Sequence, residues 1–277
     1  MILANSSSIG FIFAVILRFS LSKARPFYFK IVYKKFIYTL RREKCFNTLK
    51  DIFIEGARYK YIIQGLTFSV GVTFFSAVIG IILGILFALM RISRFYPLKH
   101  SKNFKDFNPL EWIAIWYTDI IRGTPAVVQL MILANVIFAG FRDMPVFLIA
   151  SLSFGINSGA YVSEIIRAGI EGLDKGQMEA ARALGMPYAT AMKEVIIPQA
   201  IKKILPALVS EFITLLKETS IVGFIGGVDL LRSANIITSQ TYRGVEPLLA
   251  VGIIYLIMTG VFTKFMRSVE KGMKVSD

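Results

Sequence analysis

Four ionisable side chains lie inside long apolar segments of the chain: Asp119 and Arg122 in one, and Lys217 and Glu218 in another. A charge at the centre of a bilayer costs roughly 2.5–3.5 kcal/mol, so four of them facing lipid unpaired would cost on the order of 10 kcal/mol. Such groups face the interior, pair with one another or line a wet cavity. Cations and anions placed in this way can bind a solute that carries both charges.

The two charged pairs differ in their local geometry. Asp119 and Arg122 are three residues apart on one helix face, so we expect a structural ion pair between them. Pro125 breaks the helix beside Arg122, and substrate sites in membrane bundles tend to lie at such breaks. Lys217 and Glu218 are neighbours about 100° apart around a helix, so they cannot both face one point.

The remaining reactive residues argue against catalysis by this chain. Cys45 and His100 are single, which excludes a disulfide framework, a histidine cluster and a metal site built from either residue type. The sequence has no Gly-x-x-x-x-Gly-Lys-Ser/Thr run, the phosphate-binding loop of many ATPases. We therefore predict no catalytic residue, no metal and no bound cofactor.

The composition predicts an all-α membrane protein. The hydrophobic fraction is 55% and the mean hydropathy is +0.62, with apolar residues in long blocks. A helix needs about 20 residues to cross the hydrocarbon, and no strand-like alternation is present. Gly80 and Gly84 are spaced for close helix contact. The five predicted core transmembrane helices cover residues 62–90, 113–138, 146–167, 205–225 and 248–265.

Basic residues in the connections predict the topology. Residues 91–111, residues 167–203 and the tail after residue 261 carry fifteen Lys and Arg in total, whereas residues 139–145 and 226–247 carry three. Cytoplasmic loops are enriched in these residues. The net charge of +14 is therefore typical of a membrane protein, and the C-terminus is predicted to be cytoplasmic.

The predicted organisation is one transmembrane domain, residues 52–274, followed by a short tail, residues 275–277. It contains a long cytoplasmic loop at about residues 172–200. Residues 1–51 form a basic and apolar extension of unknown role. Three interpretations of it stay open: a weak extra helix, a surface-lying amphipathic segment, or residues that precede the true start of translation.

The long cytoplasmic loop has the signals of two short helices. Asp174 is a candidate N-cap, with Gln177 at the position of a capping box. Gly185 lies where a left-handed cap would end the first helix. A second helix is predicted over residues 188–196, with Pro198 as its end. The two helices form either a knob that inserts into a partner or a simple hairpin between two spans.

Sequence runs in this loop resemble a known family. Glu179-Ala180-Ala181, then Gly185, then Val195-Ile196-Ile197-Pro198 resemble the signature loop of permeases of ATP-binding-cassette importers. The one departure is Val195, where isoleucine is usual. The resemblance extends over about residues 52–274. The runs closest to the polar amino acid branch (histidine, glutamine, glutamate, arginine and opine carriers) are Tyr59–Ile62, Gly65–Thr67, Ile121–Pro125, Gln129–Leu130, Asn157–Tyr161 with Glu164 and Arg167, Asp174–Gln177 and Leu216–Ser220.

The resemblance implies a non-catalytic permease subunit in a bacterial inner membrane. Two permease chains, alike or related, would form a central pathway, and a dimer of separate ATPase subunits would bind ATP and Mg²⁺. An extracytoplasmic binding protein would deliver the amino acid. The residues implied in coupling to the ATPase are Glu179, Ala180, Ala181, Gly185 and Pro198.

A polar amino acid presents a carboxylate, an ammonium and a side-chain head. Arg122 or Lys217 is expected to bind the carboxylate, and Glu164 or Glu218 the ammonium. The neutral contacts are assigned to Asn157, Ser158 and Tyr161. The alternative is that these groups only hold the helices together.

Two rival functions also stay open. An ATPase-independent secondary transporter or channel for a small polar solute would have an inverted internal repeat, and no repeat of helix length is found. A scaffold subunit that transports nothing would leave the intramembrane charges unexplained.

Overall fold

The computed structural model describes residues 48–93, 95–97, 107–141 and 143–274. Within these ranges the chain is helical with no strand, which confirms the predicted fold class. Most of the extension, together with Cys45, His100 and the tail 275–277, lies outside the described residues. The helices are α1 (Tyr59–Ile92), α2 (Pro109–Arg122), α3 (Ala126–Ile132), α4 (Val146–Glu171), α5 (Lys175–Ala183), α6 (Tyr188–Ala191), α7 (Ile197–Glu218), α8 (Leu230–Thr241) and α9 (Val245–Lys274).

The chain divides into two compact units. One contains the residues up to Leu66 together with Leu230–Leu256, and the other contains Thr67–Asp229 together with Ile257–Asp277. The predicted site residues all belong to the second unit. The predicted single domain, residues 52–274, stays a prediction.

In the first unit, side chains join the segment before α1 to the helix α8. Arg58 Nη1 donates to the Asp51 carbonyl at 2.8 Å, and Arg58 Nε donates to Gln240 Oε1 at 3.3 Å. Ser233 Oγ donates to the Tyr61 carbonyl at 2.7 Å. The helix α8 lies within residues 226–247, for which the sequence predicts a connection between two spans.

Length and apolar composition single out α1, α4 and the part of α9 from Val245 to Met266 as able to cross a membrane. The helices α2 and α3, with a π-helical turn at Leu133–Ile137, pass the same test only as one bent pair. The fourth predicted span, residues 205–225, consists of the end of α7 and a 3₁₀ segment, Thr219–Ile225. Composition does not single out α7 because charged residues are spread along it.

In the second unit, α1 and α4 pack at close range through their glycines. A Cβ atom added at Gly84 would lie 2.3 Å from Val162 Cγ1, and one at Gly80 would lie 2.9 Å from Ser158 Cβ. Conversely, α4 presents a glycine to α1, because a Cβ atom added at Gly155 would lie 2.6 Å from Ile79 Cγ2. The predicted small-residue contact in α1 is confirmed, and α4 supplies the opposing face.

The apolar core of the second unit surrounds the middle of α4. Phe154 is 1% exposed and packs in a cluster with buried residues from α1, α3, α7 and the 3₁₀ segment that follows α7. The other buried members are Val72, Leu130, Ala150, Leu215 and Val222. Burial on all sides fixes the position of α4, and α4 carries several of the predicted site residues.

Candidate functional site

The predicted break near Arg122 is present. The helix α2 ends at Arg122, α3 begins at Ala126, and the bent pair that they form changes direction by 105°. Pro125 has no N–H and cannot donate the usual helical hydrogen bond to the Ile121 carbonyl. Gln129 Nε2 donates to that carbonyl instead, at 2.6 Å. A side-chain amide therefore satisfies the backbone group that the proline leaves open.

The same amide is bound to α4. Asn157 Nδ2 donates to Gln129 Oε1 at 2.8 Å, while Gln129 Nε2 also donates to the hydroxyl and carbonyl oxygens of Thr124, at 2.7 and 3.0 Å. Asn157 is only 4% exposed. The structure therefore places Asn157 in a buried contact with the broken helix.

Three of the predicted site residues come together on one side of α4. Tyr161 and Glu164 are three residues apart and share a helix face. Arg122 Cζ lies 5.5 Å from the centre of the Tyr161 ring, and Arg122 Nη1 lies 3.7 Å from Glu164 Oε2. A guanidinium over an aromatic face, beside a carboxylate, is held by both.

Glu164 is the centre of an ion-pair cluster, which comprises Arg91, Arg122, Glu164 and Arg167. Arg91 Nη1 binds Glu164 Oε1 and lies 3.3 Å from Thr118 Oγ1. Arg167 Nη2 lies 2.9 Å from Glu164 Oε2. The cluster therefore joins the end of α1, the end of α2 and the C-terminal part of α4.

The predicted ion pair between Asp119 and Arg122 is wrong. The ion pair of Arg122 is made with Glu164, and exposed Asp119 has no ion pair with another described residue. Residues on a neighbouring helix compete with partners on the same helix, and local spacing does not reveal them.

The charged residues of α7 have different surroundings. Ser158 Oγ, which is buried, donates to Glu211 Oε1 at 2.9 Å. Lys217 is exposed, Glu218 is half-buried, and neither has an ion pair within 4.0 Å among the described residues. These two residues are not held in the ion-pair cluster.

The loop between α4 and α7, which the sequence predicts to be cytoplasmic, begins and ends its first helix as predicted. Asp174 Oδ1 accepts a hydrogen bond from the Gly176 amide at 2.8 Å, which confirms the N-cap. At the other end, the Met186 amide donates to the Ala181 carbonyl at 3.2 Å and the Gly185 amide donates to the Arg182 carbonyl at 3.0 Å. With Gly185 at φ +84°, this is a Schellman cap, for which glycine is favoured.

The second half of the loop differs from the prediction. Pro198 does not end a helix, because Ile196 and Ile197 are helical and the chain continues through a π-helical turn, Met192–Ile196, into α7. Pro198 lies in the first turn of α7, directly after the π-helical turn in which the Ile197 amide donates to the Met192 carbonyl. The short helix is thus the beginning of the fourth span.

The five predicted coupling residues do not share one surface. Glu179, Ala180, Gly185 and Pro198 are exposed, whereas Ala181 is 4% exposed. The most prominent apolar side chain of the loop is Leu184, which is 85% exposed and which the sequence analysis did not single out.

The sequence pattern of the binding-protein-dependent transport system inner membrane components matches residues 80–275 of this chain. The chain belongs to this family. The protein is accordingly the permease subunit of an ATP-binding-cassette importer and a multi-pass membrane protein, as the loop residues predicted.

Curated relatives match most of the permease. The arginine transport system permease protein ArtQ of Bacillus subtilis (strain 168) is 43% identical over 222 residues, which cover 78% of this chain and 94% of the relative. The putative glutamine transport system permease protein GlnP of Rickettsia bellii (strain RML369-C) is 38% identical over 218 residues, with the same coverage of 78% and 94%.

Solved structures share the fold of the permease. A crystal structure of an amino acid ABC transporter with histidines has a TM-score of 0.70 and 44% identity, covering 79% of this chain and 97% of that one. An inward-facing MetNI methionine ABC transporter has a TM-score of 0.64 at 15% identity, which shows a common fold.

Two residues that contact the ion-pair cluster or the break between α2 and α3 are not predicted as site residues from the sequence. Arg91 was assigned to a loop as a topological charge, although it ends α1 and binds Glu164. Gln129 was part of a matching run without a role. The sequence does contain an indication of this role: an amide four residues after a helix-breaking proline can reach the carbonyl that the proline leaves without a donor.

Proposed function

We propose that this permease carries a polar amino acid into the cytoplasm, powered by ATP that a separate subunit hydrolyses. The relatives named for arginine and glutamine transport support this substrate class. So does the ion-pair cluster beside a broken helix, because charge inside a membrane bundle favours a charged solute over an apolar one.

The observation that carries the proposal is the position of Arg122. It ends α2 directly before the break, its side chain is 45% exposed, and its ion pair with Glu164 is long at 3.7 Å. A guanidinium has five N–H donors in a planar fork that matches a carboxylate. Arg122 therefore has donors to spare for the carboxylate of a passing amino acid, while Tyr161 and Glu164 keep its guanidinium group beside α4.

The ammonium group needs a different carboxylate from the one first considered. Glu164 is surrounded by three guanidinium groups, which repel a further cation. Among the described residues, Glu218 has no ion pair, and Glu211 accepts a hydrogen bond from the neutral hydroxyl of Ser158. The acidic residues of α7 are thus better placed than Glu164 to bind an ammonium.

The remaining predicted contact residues fall into two groups, those that can line the pathway and those that hold the helices together. Tyr161 is half-buried and lies under Arg122, so it can line the pathway. Asn157 and Ser158 are buried and already hydrogen-bonded, so we assign them to holding the helices. Lys217, which is exposed, is the second candidate for the carboxylate.

The proposed assembly has two copies of the permease, a dimer of ATPase subunits and an extracytoplasmic binding protein. The ATPase docks on the long cytoplasmic loop, with the C-terminus of the permease on the same side. Exposed Glu179, Ala180 and Leu184 offer a charge and an apolar surface to the ATPase, and Gly185 fixes the turn between them. ATP and Mg²⁺ bind to the partner, and this chain performs no chemistry.

The test is uptake by proteoliposomes that contain the permease, its ATPase and its binding protein. A panel of radiolabelled arginine, lysine, histidine, glutamine, glutamate, leucine and maltose is offered with ATP inside. We expect uptake of at least one of the five polar amino acids and none of maltose. Uptake of maltose, or of leucine in preference to all five, would refute the substrate class.

A further inference from the structure

The amide of Gln129 has an unusual set of partners. Its nitrogen lies within hydrogen-bonding distance of three oxygens: the Ile121 carbonyl, the Thr124 carbonyl and the Thr124 hydroxyl. Its oxygen accepts from Asn157. Three acceptors around one end require that end to be the NH₂ group, so the orientation of the amide follows from its surroundings.

These bonds span the break from both sides. Ile121 and Thr124 lie before Pro125, Gln129 lies one turn into α3, and Asn157 belongs to the buried helix α4. Gln129 thus ties the end of α2 to the start of α3, while Asn157 ties both to α4. We call this set the amide clamp: Gln129, Asn157 and the Ile121 and Thr124 oxygens.

The break needs a support of this kind. A proline leaves the carbonyl four residues earlier without its usual helical donor. The Thr124 hydroxyl cannot donate to the Ile121 carbonyl, because it already donates to the Ile120 carbonyl at 2.9 Å. Without the Gln129 amide, a carbonyl at the bend would have to find another partner, and the angle between α2 and α3 would change.

We propose that Gln129 and Asn157 are positioning residues that hold the bend between α2 and α3, and thereby hold Arg122 over Tyr161 and beside Glu164. Neither residue has to touch the substrate. Arg122 is the last residue of α2, so its backbone position depends directly on the geometry that the amide clamp fixes. The functional consequence rests on the proposed role of Arg122, but the geometry of the bend does not.

The decisive substitution is Gln129→Glu, tested in the assembled transporter in liposomes. A carboxylate of the same shape keeps the acceptor for Asn157 but cannot donate to the two carbonyls. We expect about a tenfold fall in uptake per assembled complex, as follows from leaving the part-buried Ile121 carbonyl without its donor. Gln129→Ala is expected to do the same, and Asn157→Ala is expected to add little to Gln129→Glu, because both act on one unit.

The matched control is Asn135→Ala. Asn135 is an exposed amide in the π-helical turn after α3, and among the described residues its Nδ2 donates only to the Met131 carbonyl one turn earlier, at 2.9 Å. We expect its uptake to match that of the unmodified protein. If Gln129→Glu transports as well as Asn135→Ala, the residue only fills space and the proposal is wrong.

A distance measurement tests the bend without reference to any substrate. Spin labels are attached to the cysteines of Trp116→Cys and Val136→Cys, two exposed positions, after Cys45 has been replaced. The distance between the labels reports the separation of α2 from the π-helical turn that follows α3. Single-label samples identify distances between copies. We expect one narrow intrachain distance, broadened by Gln129→Glu and not by Asn135→Ala. An unchanged distribution would overturn the clamp, whereas absence of amino acid uptake in the unmodified protein would overturn only the proposed function.

Discussion

Glu164→Gln removes the one carboxylate that three arginines of the second unit share, while it keeps the size of the side chain. The Glu164 side chain is 16% exposed, and those of Arg91, Arg167 and Arg122 are 20%, 26% and 45% exposed. Breaking a buried ion pair costs about 3–5 kcal/mol, and an exposed one about 0–1 kcal/mol. Because the arginines are partly solvated, we expect a loss of about 2–3 kcal/mol in the free energy of unfolding.

This loss is measurable as a shift in thermal unfolding of the purified permease in detergent. At about 2–4 °C per kcal/mol, the apparent melting temperature should fall by roughly 4–12 °C. The matched control is Glu194→Gln, which removes an ion pair with Lys193 at 3.3 Å whose side chains are 57% and 81% exposed. The control should melt within about 2 °C of the unmodified protein. If the melting temperature of Glu164→Gln equals that of the control, the ion-pair cluster does not hold the helices together.

Three further predictions concern pathway, coupling and packing. Arg122→Ala should lower amino acid uptake per complex about tenfold with normal membrane levels; lower levels with a normal rate per complex would make Arg122 structural. Gly185→Val places a β-branched residue at φ +84° and should reduce co-purification of the ATPase and substrate-stimulated ATP hydrolysis. Unchanged values of both would refute the coupling role. Gly84→Leu, whose Cβ would meet Val162 at 2.3 Å, should destabilise the permease by about 1–3 kcal/mol in thermal unfolding, and an unshifted melting temperature would contradict this packing.

Features that depend on local chemistry were predictable from the sequence. Apolar runs gave the long helices, because lipid leaves a backbone few alternatives to a helix. Pro125 marked the break, Asp174 the start of the first loop helix and Gly185 its end, because each residue changes which backbone hydrogen bonds form or which φ is favoured.

Features that depend on neighbouring helices were not predictable. Arg122 pairs with Glu164 of α4 and not with Asp119 of its own helix, and no spacing rule relates residues 42 positions apart. Pro198 has two possible local meanings, a helix end or a first turn, and the continuity of α7 decides between them. Ala181 looked like a surface residue, but the second half of the loop covers it.

We propose that the permease forms the translocation pathway and that a separate subunit supplies the energy by ATP hydrolysis. Uptake measured with and without that ATPase tests this most directly. Radiolabelled arginine or glutamine is offered to liposomes that contain the permease alone, the permease with the ATPase and binding protein, and the same assembly with ATP withheld. The account predicts accumulation against a gradient only in the complete assembly with ATP. Equal uptake by the permease alone, indifferent to ATP, would contradict it.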